Sequence, residues 1–171
     1  MTGVNDWTTP EDPVDLRQAL SCFATGITIV TGITEDGVRF GLTASSFQSV
    51  SLTPPLILYN IRKGAASAAL VKSSGTFCVN VLRHEHVELA KRFAGPVADR
   101  FHGIDWNYGC LGCPALPDAI ASFECRLWAT YDGGDHEIVV GEVAALRRAR
   151  EGNPLVYYRG EFHPIIPMTS R

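Results

Sequence analysis

The sequence SFECRLWATYDGGDHEIVVGEVAAL, residues 122–146, decides the fold class. From Ser122 to Tyr131 apolar side chains alternate with other residues, which is the period of a strand with one buried face. The tetrapeptide DGGD at 132–135 is typical of a tight turn and leads into a second apolar run. We therefore predict a long antiparallel hairpin whose first strand turns these residues to one face: Phe123, Cys125, Leu127, Ala129 and Tyr131.

Shorter strand patterns lie on both sides of this hairpin. A β-branched run at 25–34 reaches a turn signal at Asp36-Gly37, and residues 154–162, PLVYYRGEF, have the pattern of the last strand. Further strands are predicted at 56–61 and 76–82, and short helices at 14–23, 64–72 and about 87–93. Strands joined by hairpins, without long helices between them, predict a mainly β protein: a closed or nearly closed antiparallel barrel with short peripheral α-helices.

Length and composition indicate one globular domain. The chain has 171 residues, of which 46% are hydrophobic and 19% charged, with a net charge of −3. Lys and Arg are scattered, so a nucleic-acid partner is not expected, and no apolar run reaches the roughly 18 residues of a membrane span. Residues 1–13 lack the basic start and apolar core of a signal peptide. We expect a cytoplasmic protein with a flexible segment at 1–13 and a single domain at 14–171.

The five cysteines indicate reduced thiols and not a disulfide framework. Cys78 and Cys125 lie in strand patterns, and we expect both to be buried. Cys110 and Cys113 have CxxC spacing, but no second pair of ligands follows at a matching spacing. The glycines and the proline around them are typical of a loop, so we expect neither a metal site nor a redox site there.

A hydroxyl-rich stretch, GLTASSFQSVSLTPPLILYNI at 41–61, is the main candidate for a binding site. Small hydroxyls and open backbone N–H groups suit a flat polar heterocycle, although a solvated turn also explains such a stretch. Arg62 and Lys63 follow, just before a predicted helix with Ser67 in its first turn, and such a helix start suits an anion. The usual hydrolase, P-loop and Rossmann signatures are absent from the sequence.

Six segments, in this order along the chain, carry a resemblance to a known family: FATGITIVT, GLTASSFQSVSLTPPLIL, FCVNVL, RFAG…DRFHGIDW, GGDHEIVVGEV and PLVYYRGEF. Over about residues 14–166 the chain resembles the short-chain flavin reductases, the NAD(P)H-dependent reductase components of two-component flavin monooxygenases. The resemblance implies a split β-barrel that binds FMN or FAD, with NADH or NADPH as hydride donor. It also implies a homodimer and a separate oxygenase that receives the reduced flavin.

The resemblance further implies roles for individual residues. The isoalloxazine ring of the flavin would lie near Thr28, Thr43, Ala44, Ser45 and Ser46. The ribityl phosphate would be held by the segment that contains Asn60, Ile61, Arg62, Lys63 and Ser67. The next helix would approach the flavin with Arg92 and Phe93.

For the nicotinamide nucleotide the resemblance implies contact with Tyr157, Tyr158, Arg159 and Gly160, and with His136 as the catalytic residue. Hydride transfer needs positioning and exclusion of water, so we expect no nucleophile, no general base and no metal ion. We expect His136 to orient the nicotinamide or its pyrophosphate.

Two other classes of function remain open at this point. A non-catalytic split-barrel module would bind flavin without turning over a nicotinamide nucleotide; the GDH and YYRG segments favour an enzyme instead. An oxidase of a phosphorylated pyridine on a similar barrel would have a larger basic cluster than this chain shows.

Overall fold

The computed structural model describes residue 7 and residues 9–165. Its helices are α1 (Pro13–Leu20), α2 (Ala66–Ser74) and α3 (Val87–Ala94), with a 3₁₀ turn at His84–His86 before α3. Its strands are β1 (Thr25–Gly26), β2 (Thr28–Ile33), β3 (Arg39–Ala44), β4 (Gln48–Leu52), β5 (Pro55–Arg62), β6 (Thr76–Val81), β7 (Asn107–Tyr108), β8 (Pro114–Ala115), β9 (Ala121–Gly133), β10 (His136–Arg148), β11 (Leu155–Tyr158) and β12 (Glu161–Pro164).

The main sheet is seven-stranded, in the order β3-β2-β6-β9-β10-β5-β4, and every neighbouring pair in it is antiparallel. β3 also contacts β5, so the sheet curls until strands near its two ends approach each other. A second sheet, β1-β11-β12, lies beside it. The predicted mainly β, antiparallel architecture with short peripheral helices is confirmed.

The long hairpin is present as β9 and β10, with His136 opposite Gly133 at the turn. The face that was predicted to be apolar points to the core at Cys125, whereas Tyr131 is 56% exposed. The opposite face is buried as well at Ser122 and Glu124, because the β7–β8 hairpin covers it. The Glu124 carboxylate accepts backbone N–H groups from that hairpin, one of them from Cys113 at 3.1 Å. One end of β9 is therefore buried on both faces.

Two aromatic clusters fill the core. Inside the curled sheet, Tyr59 and Phe77 meet edge to face at 5.3 Å, and a Cβ at Gly141 would overlap the Phe77 ring. Under α3, Phe93 and Phe101 meet edge to face at 5.2 Å. Edge-to-face packing of this kind stabilises aromatic pairs beyond their burial. The first cluster joins β5 to β6, and the second supports β3, because Phe93 contacts Gly41.

Two sequence-based boundaries were wrong. The segment PLVYYRGEF is not one strand, because the chain reverses at Arg159 (φ 51°) and Gly160 (φ 86°) between β11 and β12. Positive φ at both positions is the requirement of a tight hairpin turn. The first helix ends at Leu20 and not at Phe23, which is 67% exposed. The backbone N–H of Arg159 donates to Ser21 at 2.8 Å and ties the new turn to the end of α1.

The positions of the cysteines agree with the sequence-based expectations, and the reduced state of the thiols stays a prediction. Cys78 and Cys125 are fully buried as expected, and Cys110 and Cys113 lie in the turn between β7 and β8. All five cysteines are free. Burial raises the pKa of Cys113 to about 11 and the pKa of Cys125 to about 12, so both thiols stay protonated at neutral pH. Within residues 9–165, no group of three His, Cys, Asp or Glu side chains could hold a metal ion.

We expect a dithionitrobenzoate titration at pH 8 to detect two fast thiols per native chain, those of Cys22 and Cys110, which are exposed. The other three thiols should react only after unfolding in guanidinium, because they are buried and protonated. In the Cys110→Ser variant the native count should fall to one. A native count of one in the unmutated chain, with three after unfolding and five after reduction, would indicate a disulfide between Cys110 and Cys113 and contradict the free-thiol arrangement.

Candidate functional site

A cleft of about 580 Å³ opens between α1, the segment that follows β3, and β5. We call it the serine cleft after Ser45 and Ser46, which line it together with the polar residues Arg17, Ser21, Thr25, Gln48 and Asn60. Leu20, Phe23, Leu58 and the ring of Tyr157 form the apolar part of its wall. Its volume lies in the range of small-molecule sites, and its mixture of apolar wall and a few polar groups is typical of them.

Hydrogen-bond donors are concentrated where β3 ends. The backbone N–H groups of Ser45, Ser46 and Phe47 have no backbone acceptor among the residues that the structure describes. The Ser46 hydroxyl accepts the backbone N–H of Asn60 at 2.9 Å, so its own proton remains available to a ligand. Unpaired donors beside an open cleft fit a heterocycle with carbonyl and ring-nitrogen acceptors.

Two predicted site residues shape the serine cleft through the backbone. The hydroxyl of Thr28 donates to the carbonyl of Ala44 at 2.9 Å, and the hydroxyl of Thr43 donates to the carbonyl of Ala90 at 2.7 Å. Ala44 itself is buried in the core. These bonds fix the end of β3 against β2 and α3, and thereby fix the direction in which Ser45 leaves the strand.

His136 lies on the same face of the main sheet as the serine cleft. Along β5, Leu58, Asn60 and Arg62 alternate with buried residues, one of which is Ile61, and therefore point to the outer face. His136 is opposite Arg62 in the register of β5 and β10, so it lies on the same outer face. Arg62 is the next outward-facing residue of β5 after Asn60. The structure thus brings the predicted nicotinamide residue beside the predicted flavin residues.

The orientation of His136 is set by its neighbour in the hairpin turn. Its Nδ1 lies 2.7 Å from the carboxylate of Asp135, and 42% of its side chain is exposed. The hydrogen bond from His136 lowers the pKa of Asp135 below its ordinary value. The carboxylate therefore stays ionised and fixes one ring nitrogen, which leaves Nε2 free to face a ligand.

Lys63 is committed to the turn of the long hairpin. Its ammonium lies 2.5 Å from the Asp132 carboxylate, and its backbone N–H donates to the carbonyl of Asp135 at 3.0 Å. The structure therefore does not bring the Lys63 side chain to Ser67. The neighbouring Arg62 is exposed beside His136.

A second cleft, of about 440 Å³, lies between the start of β3, the first turns of α2 and the segment 97–101. We call it the arginine cleft because Arg39 and Arg100 line it, together with Ser67. Ser67 is 9% exposed, and its hydroxyl has no hydrogen-bond partner in the described part of the chain. α2 has no side-chain cap, so its first N–H groups are available to an anion.

Arg92 and Phe93 line neither cleft. Arg92 donates from Nη1 to the carbonyl of His102 at 2.9 Å, and Phe93 is a core residue that is 1% exposed. The Phe93 ring leaves no room for a Cβ at Gly41, so the two residues fit tightly together. The contact of this pair with a flavin stays a prediction; in this structure it supports β3 from beneath.

The β11–β12 turn brings one of its predicted residues to the serine cleft. Tyr157 lines the cleft and packs against Phe162 with ring centroids 5.3 Å apart. Tyr158 lies outside it, with the guanidinium of Arg159 5.4 Å from its ring. Gly160 forms the turn itself. Successive side chains of a strand point to opposite faces, so only Tyr157 of the two tyrosines reaches the cleft.

Sequence reasoning missed the α1 side of the serine cleft. Arg17, Leu20, Ser21 and Phe23 line it, whereas the sequence indicated only a short helix over 14–23. None of the residues of α1 is buried. No local motif marks these residues, because their neighbours in the cleft come from β3 and β5.

Comparison with known proteins identifies the family. The flavin reductase like domain family matches residues 20–165. The chain is 43% identical to the reductase subunit HsaB of a flavin-dependent monooxygenase from Rhodococcus jostii, with 91% of this chain and 80% of that protein covered. It is 40% identical to the FMN reductase (NADH) SmoA of Agrobacterium fabrum, with 89% and 86% covered.

A solved structure agrees with these relatives. The NADH:FAD oxidoreductase SgcE6 of Streptomyces globisporus, in complex with NAD and FAD fragments, matches with a TM-score of 0.90 and 35% identity. The match covers 96% of this chain and 99% of that one. The fold is therefore the split antiparallel β-barrel predicted from the resemblance.

The chain belongs to the flavin reductase-like domain family. It is an NAD(P)H-dependent oxidoreductase that reduces FMN or FAD, and reductases of this class supply reduced flavin to monooxygenases.

Proposed function

We propose that the serine cleft holds the isoalloxazine ring of the flavin, that the start of α2 with Ser67 holds its phosphate, and that His136 positions the nicotinamide. The observation that carries this proposal is the group of unpaired donors at Ser45 and Ser46, beside an open cleft and on the face that carries His136. The apolar wall and the donors fit a flat ring that has apolar faces and one polar edge.

When bound, the flavin supplies a hydride acceptor for the nicotinamide nucleotide. The chain supplies position: the N–H groups after β3 and the Ser46 hydroxyl set the edge of the ring, and Leu58 with Tyr157 keeps water from its face. His136, oriented by Asp135, would position the nicotinamide from the same face of the sheet. No residue is required as a general base.

We further propose that reduced flavin leaves through the open rim of the serine cleft and is used by a separate oxygenase, as in the two-component systems of its relatives. In this proposal the chain acts in the cytoplasm as one domain over residues 14–171. Within the described residues no helix is long and apolar enough to cross a bilayer. The segment 1–13 lies mostly outside the described residues, and its flexibility stays a prediction.

The direct test is oxidation of NADH and NADPH in aerobic buffer with FMN, FAD or riboflavin, followed at 340 nm. We expect turnover that depends on added flavin. Flavin binding without oxidation of either nucleotide would instead support the function of a non-catalytic flavin-binding module. Absence of both, in protein with a native circular dichroism spectrum, would reject the proposed site as well.

We also expect a homodimer. Apolar side chains of α1 and the residues after it are exposed beside the serine cleft: Leu16 is 46%, Leu20 65% and Phe23 67% exposed. Together they form an apolar patch that a second copy would cover. Light scattering at micromolar concentration should report twice the chain mass, and Phe23→Asp should shift the species towards the monomer. A monomer in an active, unmutated preparation would contradict this expectation.

A further inference from the structure

The arginine cleft has the size and position of an extension of the flavin site. It has a volume of about 440 Å³, within the range of small-molecule sites, and it begins at Ser67, the residue proposed to hold the flavin phosphate. Nothing in the proposed placement of FMN uses the rest of the cleft. Its remaining lining includes Arg39, Leu70, Ala98 and Phe101.

Two stretches of chain connect the arginine cleft with the serine cleft. β3 contributes Gly41 to the arginine cleft, and Ser45, which directly follows β3, lines the serine cleft; four residues of extended chain span about 13 Å. β5 contributes Asn60 to the serine cleft, and the chain then continues into α2, where Ser67 lines the arginine cleft. Both stretches run from one cleft to the other, so a single elongated ligand can follow them.

The chemistry of the arginine cleft favours a phosphate followed by a flat aromatic base. The Arg39 guanidinium lies 5.1 Å from the centre of the Phe101 ring, is exposed, and has no carboxylate partner among the described residues. A guanidinium held flat in this way can pair with phosphate and stack on a nucleobase. Ser67 adds a hydroxyl that is nine-tenths buried and has no described partner.

The other two charged side chains of the cleft, Arg100 and Asp99, form hydrogen bonds with backbone groups around the segment 97–101. Arg100 donates to the carbonyl of Gly41 at 2.7 Å and to that of Gly95 at 2.8 Å, so it holds the segment 97–101 against β3. The Asp99 carboxylate accepts the backbone N–H of Phe101 at 3.2 Å. The cleft therefore carries two guanidiniums against one carboxylate, an excess of positive charge that favours a phosphate.

Resting on the proposed flavin reductase function, we propose that the arginine cleft takes the second phosphate and the adenosine of FAD, so that this reductase binds FAD in preference to FMN. FMN ends at the phosphate beside Ser67 and leaves the Arg39 side of the cleft without a ligand. FAD fills it, with its second phosphate on Arg39 and its adenine between Arg39, Leu70 and the segment 97–101.

The test is calorimetric titration of riboflavin, FMN and FAD, without nicotinamide nucleotide, against the unmutated chain and variants. We expect FAD to bind about tenfold tighter than FMN or more, since a charge-assisted phosphate contact and base stacking are added. Ala98→Trp places a large side chain in the cleft from an exposed position, and should abolish the advantage of FAD with the Kd of FMN within about twofold.

Matched variants separate filling of the cleft from general damage. Val38→Trp adds a large side chain beside Arg39 at a position that is 46% exposed and does not line the cleft; it should change no Kd. Arg39→Ala should raise the Kd of FAD by about tenfold and leave the Kd of FMN unchanged. Arg39→Lys should restore part of the lost affinity, because lysine keeps the positive charge but lacks the planar guanidinium. An unchanged Kd of FMN shows that each variant is folded.

Three outcomes would overturn the proposal. The first is equal Kd values of FMN and FAD in the unmutated chain. The second is an equal loss of both flavins in Ala98→Trp, which would place FMN itself on the Arg39 side of the cleft. The third is an unchanged Kd of FAD in Ala98→Trp with a raised KM for NADH, which would assign the cleft to the nicotinamide nucleotide. A chain that binds or reduces no flavin would instead reject the proposed function on which this inference rests.

Discussion

Replacing Ser67 with aspartate is expected to weaken FMN binding by about 2 to 4 kcal/mol. Two unit charges about 4 Å apart repel by about 4 kcal/mol at an effective dielectric constant of about 20, and the openness of the cleft reduces this value. The new carboxylate would stand at a position that is 9% exposed and would also cancel the attraction of the α2 N-terminus for a phosphate. The Kd of FMN measured by fluorescence quenching should therefore rise between about 30-fold and 1000-fold.

Riboflavin is the internal control for this substitution, because it has the same ring and no phosphate. Its Kd should change several-fold less than that of FMN. Ser73→Asp is the matched protein control, since Ser73 is exposed in the last turn of the same helix and the charge change is the same. Equal losses of riboflavin and FMN in Ser67→Asp would show that Ser67 is not at the phosphate end.

The parts of the fold that depend on local periodicity could be predicted from the sequence. The alternation of residues 122–131 and the DGGD turn predicted the β9–β10 hairpin, and glycine with proline placed Cys110 and Cys113 in a turn. The burial of Glu124 could not be predicted in this way. Its carboxylate is covered by the β7–β8 hairpin, and alternation along β9 contains no information about what packs on its second face.

The candidate site shows the same division between local and long-range information. The hydroxyls that follow β3 are contiguous in sequence, so the serine cleft has a local signal. Lys63 was predicted beside a phosphate, but its ammonium pairs with Asp132, 69 residues away. The arginine cleft combines residues near 40, 67 and 100, and only the register of the sheet brings these segments together. A pattern along the sequence contains no information about which distant segments meet in the fold.

The last prediction concerns His136 and follows from the register of the sheet. His136→Ala should lower kcat/KM for NADH between about tenfold and 100-fold, which corresponds to about 1.4 to 2.7 kcal/mol of transition-state stabilisation. The reason is position: His136 stands on the outer face of the sheet one pair of residues beyond Asn60, and Asp135 holds its ring at 2.7 Å. The Kd of each flavin should stay within about twofold, because His136 does not line the serine cleft.

The measurement is a pair: flavin Kd by fluorescence quenching, and NADH kinetics at saturating flavin. His102→Ala is the matched control, because the His102 side chain is 87% exposed on the loop after α3. This substitution should leave both quantities unchanged.

Asp135→Asn keeps the His136 ring but loosens its orientation, so it should give a smaller loss in kcat/KM than His136→Ala. Because hydride transfer needs no proton at this residue, the pH profile of kcat should keep its shape in His136→Ala. Unchanged kinetics would make His136 an ordinary surface residue of the hairpin turn, and a lost flavin affinity would place it against the flavin instead of the nicotinamide.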